Sequence, residues 1–324
     1  MSIPVIDLRD ALQPGAPRSR EVAQQLRDAA GASGFFYIVG HGVPQAEVEA
    51  QFALARDFFE LPQSAKQRVV LGQSPGMRGW EAVGTQTLDR DARPDLKESF
   101  YCGPEHAPDH PYVLRGYSSY GANLWPAELP AMPAACGSYI ARMQALAQRI
   151  MQLMALSLGL DESCFDNTFG NPGMTLRMVR YPPHPADADE QTFGAGAHTD
   201  WGAVTILAQD MLGGLEVKMP DGSWAPATPI AGSFVVNLGD MIPRWTNGRY
   251  RSNPHRVRNL HGNGAPRFSL PFFYSPDYEA RVEPLAVCVE PGTQPRYTPC
   301  TVGEHLHQMY RQSYGEKLME NVGA

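Results

Sequence analysis

Thr175-Leu176-Arg177-Met178-Val179-Arg180-Tyr181, stopped by Pro182-Pro183, opens the part of the chain whose reading decides the fold. From residue 172 onward the pattern runs at period two, the spacing at which alternate side chains share one face of a strand. Short candidate strands recur over Ala203 to Ala208, Gly214 to Lys218, Phe234 to Asn237, His255 to Arg258 and Arg267 to Tyr274. Pro220-Asp221-Gly222, Asn247-Gly248 and Asn263-Gly264 supply the turns between them. Strands of that length at that spacing predict a sandwich or jelly roll.

Upstream, residues 1 to about 170 read as helix-rich with one early strand. Ser19 to Ala30 repeats apolar residues at helical spacing, and so does Val48 to Phe59. Phe35-Phe36-Tyr37-Ile38-Val39, between Gly34 and Gly40-His41-Gly42, reads as the buried strand. Ser138 to Gly159 is the longest periodic stretch, and its methionines predict core filling rather than a cofactor box. Residues 68–125 are irregular and rich in Gly, Pro and Asp, a candidate lid or substrate loop.

Composition narrows the class. The chain has 324 residues, 43% hydrophobic and 19% charged, which excludes collagen-like, low-complexity and wholly disordered readings. The 27 basic residues are outnumbered by 34 acidic ones and form no basic stripe, so nucleic acid is not the expected partner. Five widely spaced cysteines include no Cys-x-x-Cys pair, which supports neither a zinc knuckle nor a disulfide framework. No signal-peptide pattern opens the chain and no apolar run approaches the roughly 18 residues of a membrane span, so the expected address is the cytoplasm, without a membrane partner.

The chemistry is concentrated in Gly194-Ala195-Gly196-Ala197-His198-Thr199-Asp200-Trp201-Gly202. On an extended chain His198 and Asp200 point the same way while Thr199 turns aside. His255, in Asn253-Pro254-His255-Arg256-Val257, is the third candidate donor and needs tertiary folding to arrive. Two imidazoles and one carboxylate on one face of an octahedron leave three positions open, which suits non-haem Fe(II). A lone His-x-Asp pair is more often an ordinary surface or core pair, so the next element adds weight. Arg267 and Ser269 share a face opposite Phe268, and a guanidinium and a hydroxyl directed into a β-core are costly unless they meet an anion. The alternative for Arg267 is a rim arginine paired with Asp or Glu.

The series His198-x-Asp200, His255 and Arg267-x-Ser269 resembles that of the Fe(II)/2-oxoglutarate-dependent dioxygenases of the isopenicillin N synthase-like family. Ile3-Pro4-Val5-Ile6-Asp7-Leu8, Gly34 to Val43, Phe58-Phe59-Glu60-Leu61-Pro62 and Leu238 to Val257 are similar to that family's segments in the same order, so the likeness runs from residue 3 to about 278. The resemblance implies a mainly β fold with flanking helices, its distorted double-stranded β-helix (jelly roll) core packed against a long helix. It implies a helix-rich dioxygenase region over 1–120, the β-core over 172–278 and a C-terminal extension over 279–324 packing on that core, all one compact unit. It also implies Fe(II) held by His198, Asp200 and His255, with 2-oxoglutarate as cosubstrate gripped by Arg267, Ser269 and Tyr181, and O2 as the oxidant. A small organic substrate would then be hydroxylated, desaturated or ring-closed with release of succinate and CO2, with no catalytic residue needed beyond the metal ligands. Many plant members carry an Asn where Val179 stands, so that contact is lost here. In isopenicillin N synthase itself the Arg-x-Ser pair binds the substrate carboxylate. An oxidase that uses no 2-oxoglutarate therefore stays open, as does a non-catalytic ligand-binding module; the sequence leaves the oligomeric state open as well.

Other candidates read more blandly. His41 in its Gly-His-Gly turn is expected to be structural, and His184, His261, His305 and His307 to be solvated. Trp201 and Trp245 are pocket-lining or core residues, and Arg244, Phe100 and Tyr101 are weaker pocket candidates.

Overall fold

Val5–Asp7 (β1) is too short to carry a period of its own, and it takes its extended form from a parallel pairing with Phe35–Val39 (β2). Between them Ser19–Ala32 (α1) turns the stripe Val22, Leu26, Ala29 and Ala30 into the interior. This computed structural model describes residues 2–74, 76–89, 91–183, 192–258 and 264–314 of the chain. His184 and His261 lie outside those residues.

After β2 come Gln45–Glu60 (α2), Gln63–Gln67 (α3), Gly79–Glu81 (β3), Glu98–Cys102 (β4), Pro111–Leu114 (α4) and Met132–Ser157 (α5). Sequence reading gives the N-terminal region one strand, whereas its described residues hold four. Two of these have only three residues, and β4 is buried along its whole length, so neither kind alternates. The polar residue in β4 is satisfied rather than exposed: Glu98 accepts from Lys66 Nζ, Trp80 Nε1 and Arg180 Nη1 at 2.7–2.9 Å. The long helix α5 begins six residues before Ser138, with Pro133 in its first turn, where the missing N–H costs nothing. Met143, Ile150, Met151 and Met154 are buried, and the methionine stripe is core.

The β-rich half comprises Pro172–Tyr181 (β5), Ala195–His198 (β6), Val204–Gln209 (β7), Leu215–Lys218 (β8), Trp224–Pro226 (β9), Phe234–Leu238 (β10), Met241–Trp245 (α6), His255–Val257 (β11) and Arg267–Asp277 (β12). Arg281–Val282 (β13), Cys300–Thr301 (β14) and Val302–Tyr314 (α7) follow. An eight-stranded sheet has the order β1-β2-β10-β7-β12-β5-β4-β3, so strands from the N-terminal region extend the sheet at both ends. A four-stranded sheet, β6-β11-β8-β9, faces it. Phe35, Tyr37, Val179, Val217, Val235 and Val257 fill the space between the sheets. The other face of the large sheet packs against α1, α2 and α5. This is the jelly-roll core with flanking helices that the sequence predicts.

Among the described residues no helix is long and apolar enough to cross a membrane. All five cysteines are free thiols. Trp245 is a core residue, its ring 5.0 Å from that of Phe165, and lines no pocket with Trp201. Phe100 is likewise core, 4.5 Å from Phe58. His305 is buried rather than solvated, because α7 turns it inward to within 3.4 Å of Asp240.

Candidate metal centre and its two cavities

The two histidines meet because the strands that carry them are neighbours in register. His198 ends β6, His255 begins β11, and the antiparallel pairing sets the two residues directly opposite each other. Their ring centroids are 4.3 Å apart. Asp200 follows β6 by two residues, and its Oδ1 lies 3.9 Å from Nε2 of each histidine. The turn that carries Asp200 is pinned against the next loop, where Asp240 N–H donates to the Asp200 carbonyl at 2.8 Å. Only glycine fits at 239, since a Cβ there would sit 2.3 Å from the Gly202 carbonyl oxygen.

Each donor presents its unspent atom to a common point. His198 Nδ1 donates to the Gly196 carbonyl at 2.7 Å, which leaves Nε2 without a proton. Asp200 Oδ2 accepts from Thr205 Oγ1 and Asn237 Nδ2, both at 2.6 Å, which leaves Oδ1 facing the histidines. Thr205 and Asn237 are themselves paired across β7 and β10, so one rung of the large sheet orients the carboxylate. His255 differs: its Nδ1 is buried without a partner, and the ring is held instead edge-on to Phe35 at 5.3 Å. Burial, followed by the nearby second imidazole, pushes His198 well below the usual histidine range and keeps it neutral. Burial alone would raise Asp200; the two imidazoles and the Asn237 and Thr205 hydrogen bonds outweigh it and hold the carboxyl below its ordinary value. One atom from each of the three residues lies within 4.8 Å of the others, so the three could hold one metal ion between them. Two neutral imidazoles and an ionised carboxylate fit a divalent transition metal with open positions.

A cavity opens on one side of this cluster, lined by Tyr181, Val179, Arg267 and Ser269 together with all three donors. Arg267 pairs with Tyr181 and Ser269 with Val179 between β12 and β5, and Phe268 turns to the opposite face beside Phe59. The Arg267 guanidinium lies over the Tyr181 ring at 4.8 Å, and its Nη2 donates to Gln209 Oε1 at 3.3 Å. Its Nε and Nη1 are buried with no partner, and among the described residues it makes no ion pair. The rim arginine of the sequence alternative is not what the fold builds.

A second cavity lies beyond His198 and Asp200, walled by Trp201, Phe273, Leu306 and Tyr310 and by polar Gln86, Ser119 and Thr175. Residues 77–119 and α7 both contribute to it, so the irregular segment does reach the pocket. Tyr101 lines it as well, whereas Arg244 lies beside Thr298 and Cys300. Arg177 crosses between the cavities, stacked on Tyr101 at 4.6 Å, bound to Glu81 at 2.8 Å and to Ser99 at 3.0 Å. His41 is structural, held between the Gly232 carbonyl and Val43 N–H, both at 3.2 Å.

Sequence reading misses Thr205, Asn237, Arg177, Lys97 and Asp95. Period two counted back from Tyr181 puts Arg177 on the cavity face, and Asn237 is the polar residue of an otherwise apolar strand; both signals are in the sequence. Lys97 and Asp95 lie before β4 in the stretch where no strand is visible.

Comparison with known proteins agrees over nearly the whole chain. Residues 3–128 match the family model described as non-haem dioxygenase in morphine synthesis N-terminal, and residues 172–276 match the 2OG-Fe(II) oxygenase superfamily. The 2-oxoglutarate-Fe(II) type oxidoreductase hxnY of Emericella nidulans is 37% identical over 317 residues, covering 96% of this chain and 90% of its own. A full-length Neurospora crassa protein, solved in complex with alpha-KG and thymine, superposes with a TM-score of 0.83 at 28% identity, covering 95% of this chain and 96% of that one. JOX2, solved with 2OG, Fe and JA, gives 0.78 at 27% identity over 99% of this chain and 88% of its own. With a jelly roll that converges two imidazoles and a carboxylate, and relatives of like length that bind iron and the keto acid, the chain belongs to the 2OG-Fe(II) oxygenase superfamily, in its isopenicillin N synthase-like branch, as a non-haem Fe(II)- and 2-oxoglutarate-dependent dioxygenase.

Proposed function

We propose that His198, Asp200 and His255 are the Fe(II) ligands of this dioxygenase, that Arg267, Ser269 and Tyr181 grip the distal carboxylate of 2-oxoglutarate, and that the cavity walled by Trp201 and Phe273 takes a small organic substrate. The observation that carries this reading is the buried guanidinium of Arg267, two of whose nitrogens meet no protein acceptor in a cavity shared with all three donors. A buried donor set of that kind costs several kcal/mol unless an anion completes it. Iron, when bound, supplies the O2 chemistry that couples keto-acid decarboxylation to substrate oxidation.

The chain's own residues do the rest. Gly196 and the Thr205–Asn237 rung aim His198 and Asp200, so the donors are set before any ligand arrives. Tyr181 offers a ring to the Arg267 guanidinium and its hydroxyl to the same carboxylate. On the substrate side the Arg177 charge is balanced by Glu81, so the wall offers hydrogen bonds and apolar surface rather than net charge. That suits a compact molecule with a polar edge. Relatives named for homoarginine and one solved with thymine differ too much for a substrate to be carried over.

The test is direct. His198→Ala and Asp200→Ala should abolish stoichiometric Fe(II) binding while circular dichroism and the melting transition persist. Full Fe(II) binding by either variant would refute the ligand assignment.

A further inference from the structure

Period two along β5 sets Thr175 and Arg177 on the same face as Val179 and Tyr181, so this one strand walls both cavities. Thr175 and Arg177 border the cavity walled by Trp201 and Phe273, and Gln86 joins them there from the irregular segment. What these side chains can offer a bound molecule depends on which of their atoms the protein already holds.

Gln86 is held by Arg177, whose Nη2 donates to Gln86 Oε1 at 3.1 Å and to Glu81 Oε2 at 2.8 Å. A guanidinium has no acceptor, so the amide atom facing it is the oxygen and the NH2 group is turned elsewhere. Among the described residues no acceptor meets that NH2 group, although Gln86 is only 4% exposed. The nitrogen is not sealed in the protein interior, and the space that Gln86 borders is this cavity. Its backbone is fixed as well: Asp95 N–H donates to the Gln86 carbonyl at 2.9 Å, and Gly84 N–H to the Asp95 carbonyl at 3.1 Å. Gln86 thus presents N–H donors to the cavity from a preset position.

Thr175 is held by a second buried guanidinium. Arg78 Nη1 donates to Thr175 Oγ1 at 3.3 Å, and its Nη2 donates to the Ser119 carbonyl at 2.6 Å and the Met174 carbonyl at 3.3 Å. With its oxygen accepting from a cation, the Thr175 hydroxyl has a proton to give. Arg78 has no exposed surface and makes no ion pair among the described residues. The Arg177 charge is balanced by Glu81, and Lys97 in the neighbouring cavity is paired with Asp95. Asp200 is the one carboxylate among the described residues that line the substrate-side cavity, and it faces the two histidines. An unbalanced positive charge behind a dry wall attracts electron-rich atoms and repels a second cation.

We propose that Gln86 and Thr175 are the specificity residues of the substrate cavity, donating to a carbonyl or carboxylate oxygen of the substrate, and that this wall rejects ammonium and guanidinium groups. This rests on the substrate reading of the cavity given above and narrows its polar edge to an oxygen acceptor. Ser119 and Ser275, whose hydroxyls rotate, complete the contact in either role.

Three ring probes of like size test this on the Mn(II)-loaded protein saturated with 2-oxoglutarate, so that the Arg267 anchor is already filled. δ-Valerolactam carries a carbonyl, cyclohexanecarboxylate a carboxylate and cyclohexylammonium a cation. Because His198 and Asp200 line the cavity, Mn(II) should broaden the proton lines of any probe that enters, and the Zn(II)-loaded protein gives the diamagnetic reference. The lactam or the carboxylate should bind about tenfold or more tightly than the ammonium, and which of the two leads tells a neutral substrate from an anionic one. Gln86→Glu keeps the side-chain shape, removes both N–H donors and adds a negative charge; it should weaken the leading probe by about tenfold and strengthen the ammonium. Gln86→Leu should weaken the leading probe by about threefold or more with no gain for the ammonium. An ammonium that binds wild type as tightly as the other two would overturn the inference, and so would a leading probe untouched by both substitutions. Should the variants not fold, the wild-type ranking decides alone. Broadening of no probe at all would overturn the substrate reading of the cavity itself, a result distinct from a wrong ranking.

Discussion

Asn237→Ala is the perturbation that isolates how the protein aims the Asp200 carboxylate. Asn237 lines the cavity without being one of the three donors; it donates to Asp200 Oδ2 at 2.6 Å, beside the Thr205 hydroxyl at the same distance. Truncation leaves half of Oδ2's partners missing in a setting where Asp200 is only 7% exposed, so water does not readily replace them. A hydrogen bond to a charged group is worth about 1.5–3 kcal/mol, or roughly tenfold to 150-fold in a binding constant. Part of that cost falls on the metal-free protein, so Fe(II) affinity should weaken by about 10- to 100-fold, the usual range for groups that orient a ligand. Thr205→Val should cost a similar amount, and the two together should depart from additivity because they share one oxygen. Asn237→Asp should be worse, since a second carboxylate facing Oδ2 forces one of the pair to hold a proton. The assay is anaerobic competition for Fe(II) against a chromogenic chelator, with the melting temperature of the metal-free variant measured alongside. Fe(II) affinity within twofold of wild type would refute the claim that this rung orients Asp200.

Four further outcomes rest on the same structure. Arg267→Ala should raise the Kd for 2-oxoglutarate by roughly two orders of magnitude or more, as two charge-assisted bonds are lost, while Fe(II) binding is retained; titration of the visible band of the ferrous keto-acid complex reads both. Gly239→Ala should lower the melting temperature and weaken Fe(II) binding together, because its Cβ would collide with the Gly202 carbonyl at 2.3 Å and press on the Asp200 carbonyl at 3.0 Å. Phe272→Ala, in the middle of β12 with no exposed surface, should cost about 3–5 kcal/mol in urea unfolding without altering keto-acid selectivity. Burial depresses His41 below its ordinary value of 6.5, so its neutral form contributes stability above that pH which is lost on acidification; His41→Gln should flatten this part of the acid limb of an unfolding-versus-pH profile.

The parts legible in the sequence are those with a repeating physical signal. Period two from residue 172 gives the strands of the core, and it puts Arg267 and Ser269 on one face with Phe268 on the other, as β12 does. Helical spacing gives α1, α2 and α5 to within a turn, apart from the six residues that Pro133 adds to the start of α5. What stays hidden depends on partners distant in the chain. β1 and β3 are extended only because a neighbouring strand pairs with them. Asn237 and Thr205 matter because β10 and β7 set them opposite each other under Asp200, a register that no local pattern encodes. His305 reads as a solvated residue until α7 is docked and turns it inward. The convergence of His198 with His255 is legible only through resemblance, since the pairing of β6 with β11 joins segments separated by four strands and one helix in the chain.

The central claim is that one face of three donors and one guanidinium anchor serve a single ferrous keto-acid complex. Adding 2-oxoglutarate to the anaerobic Fe(II)-loaded protein should produce a visible charge-transfer band at one equivalent of iron per chain, absent in Asp200→Ala and shifted to much higher keto-acid concentration in Arg267→Ala. A band of undiminished intensity in Asp200→Ala, or an unchanged titration in Arg267→Ala, would contradict it.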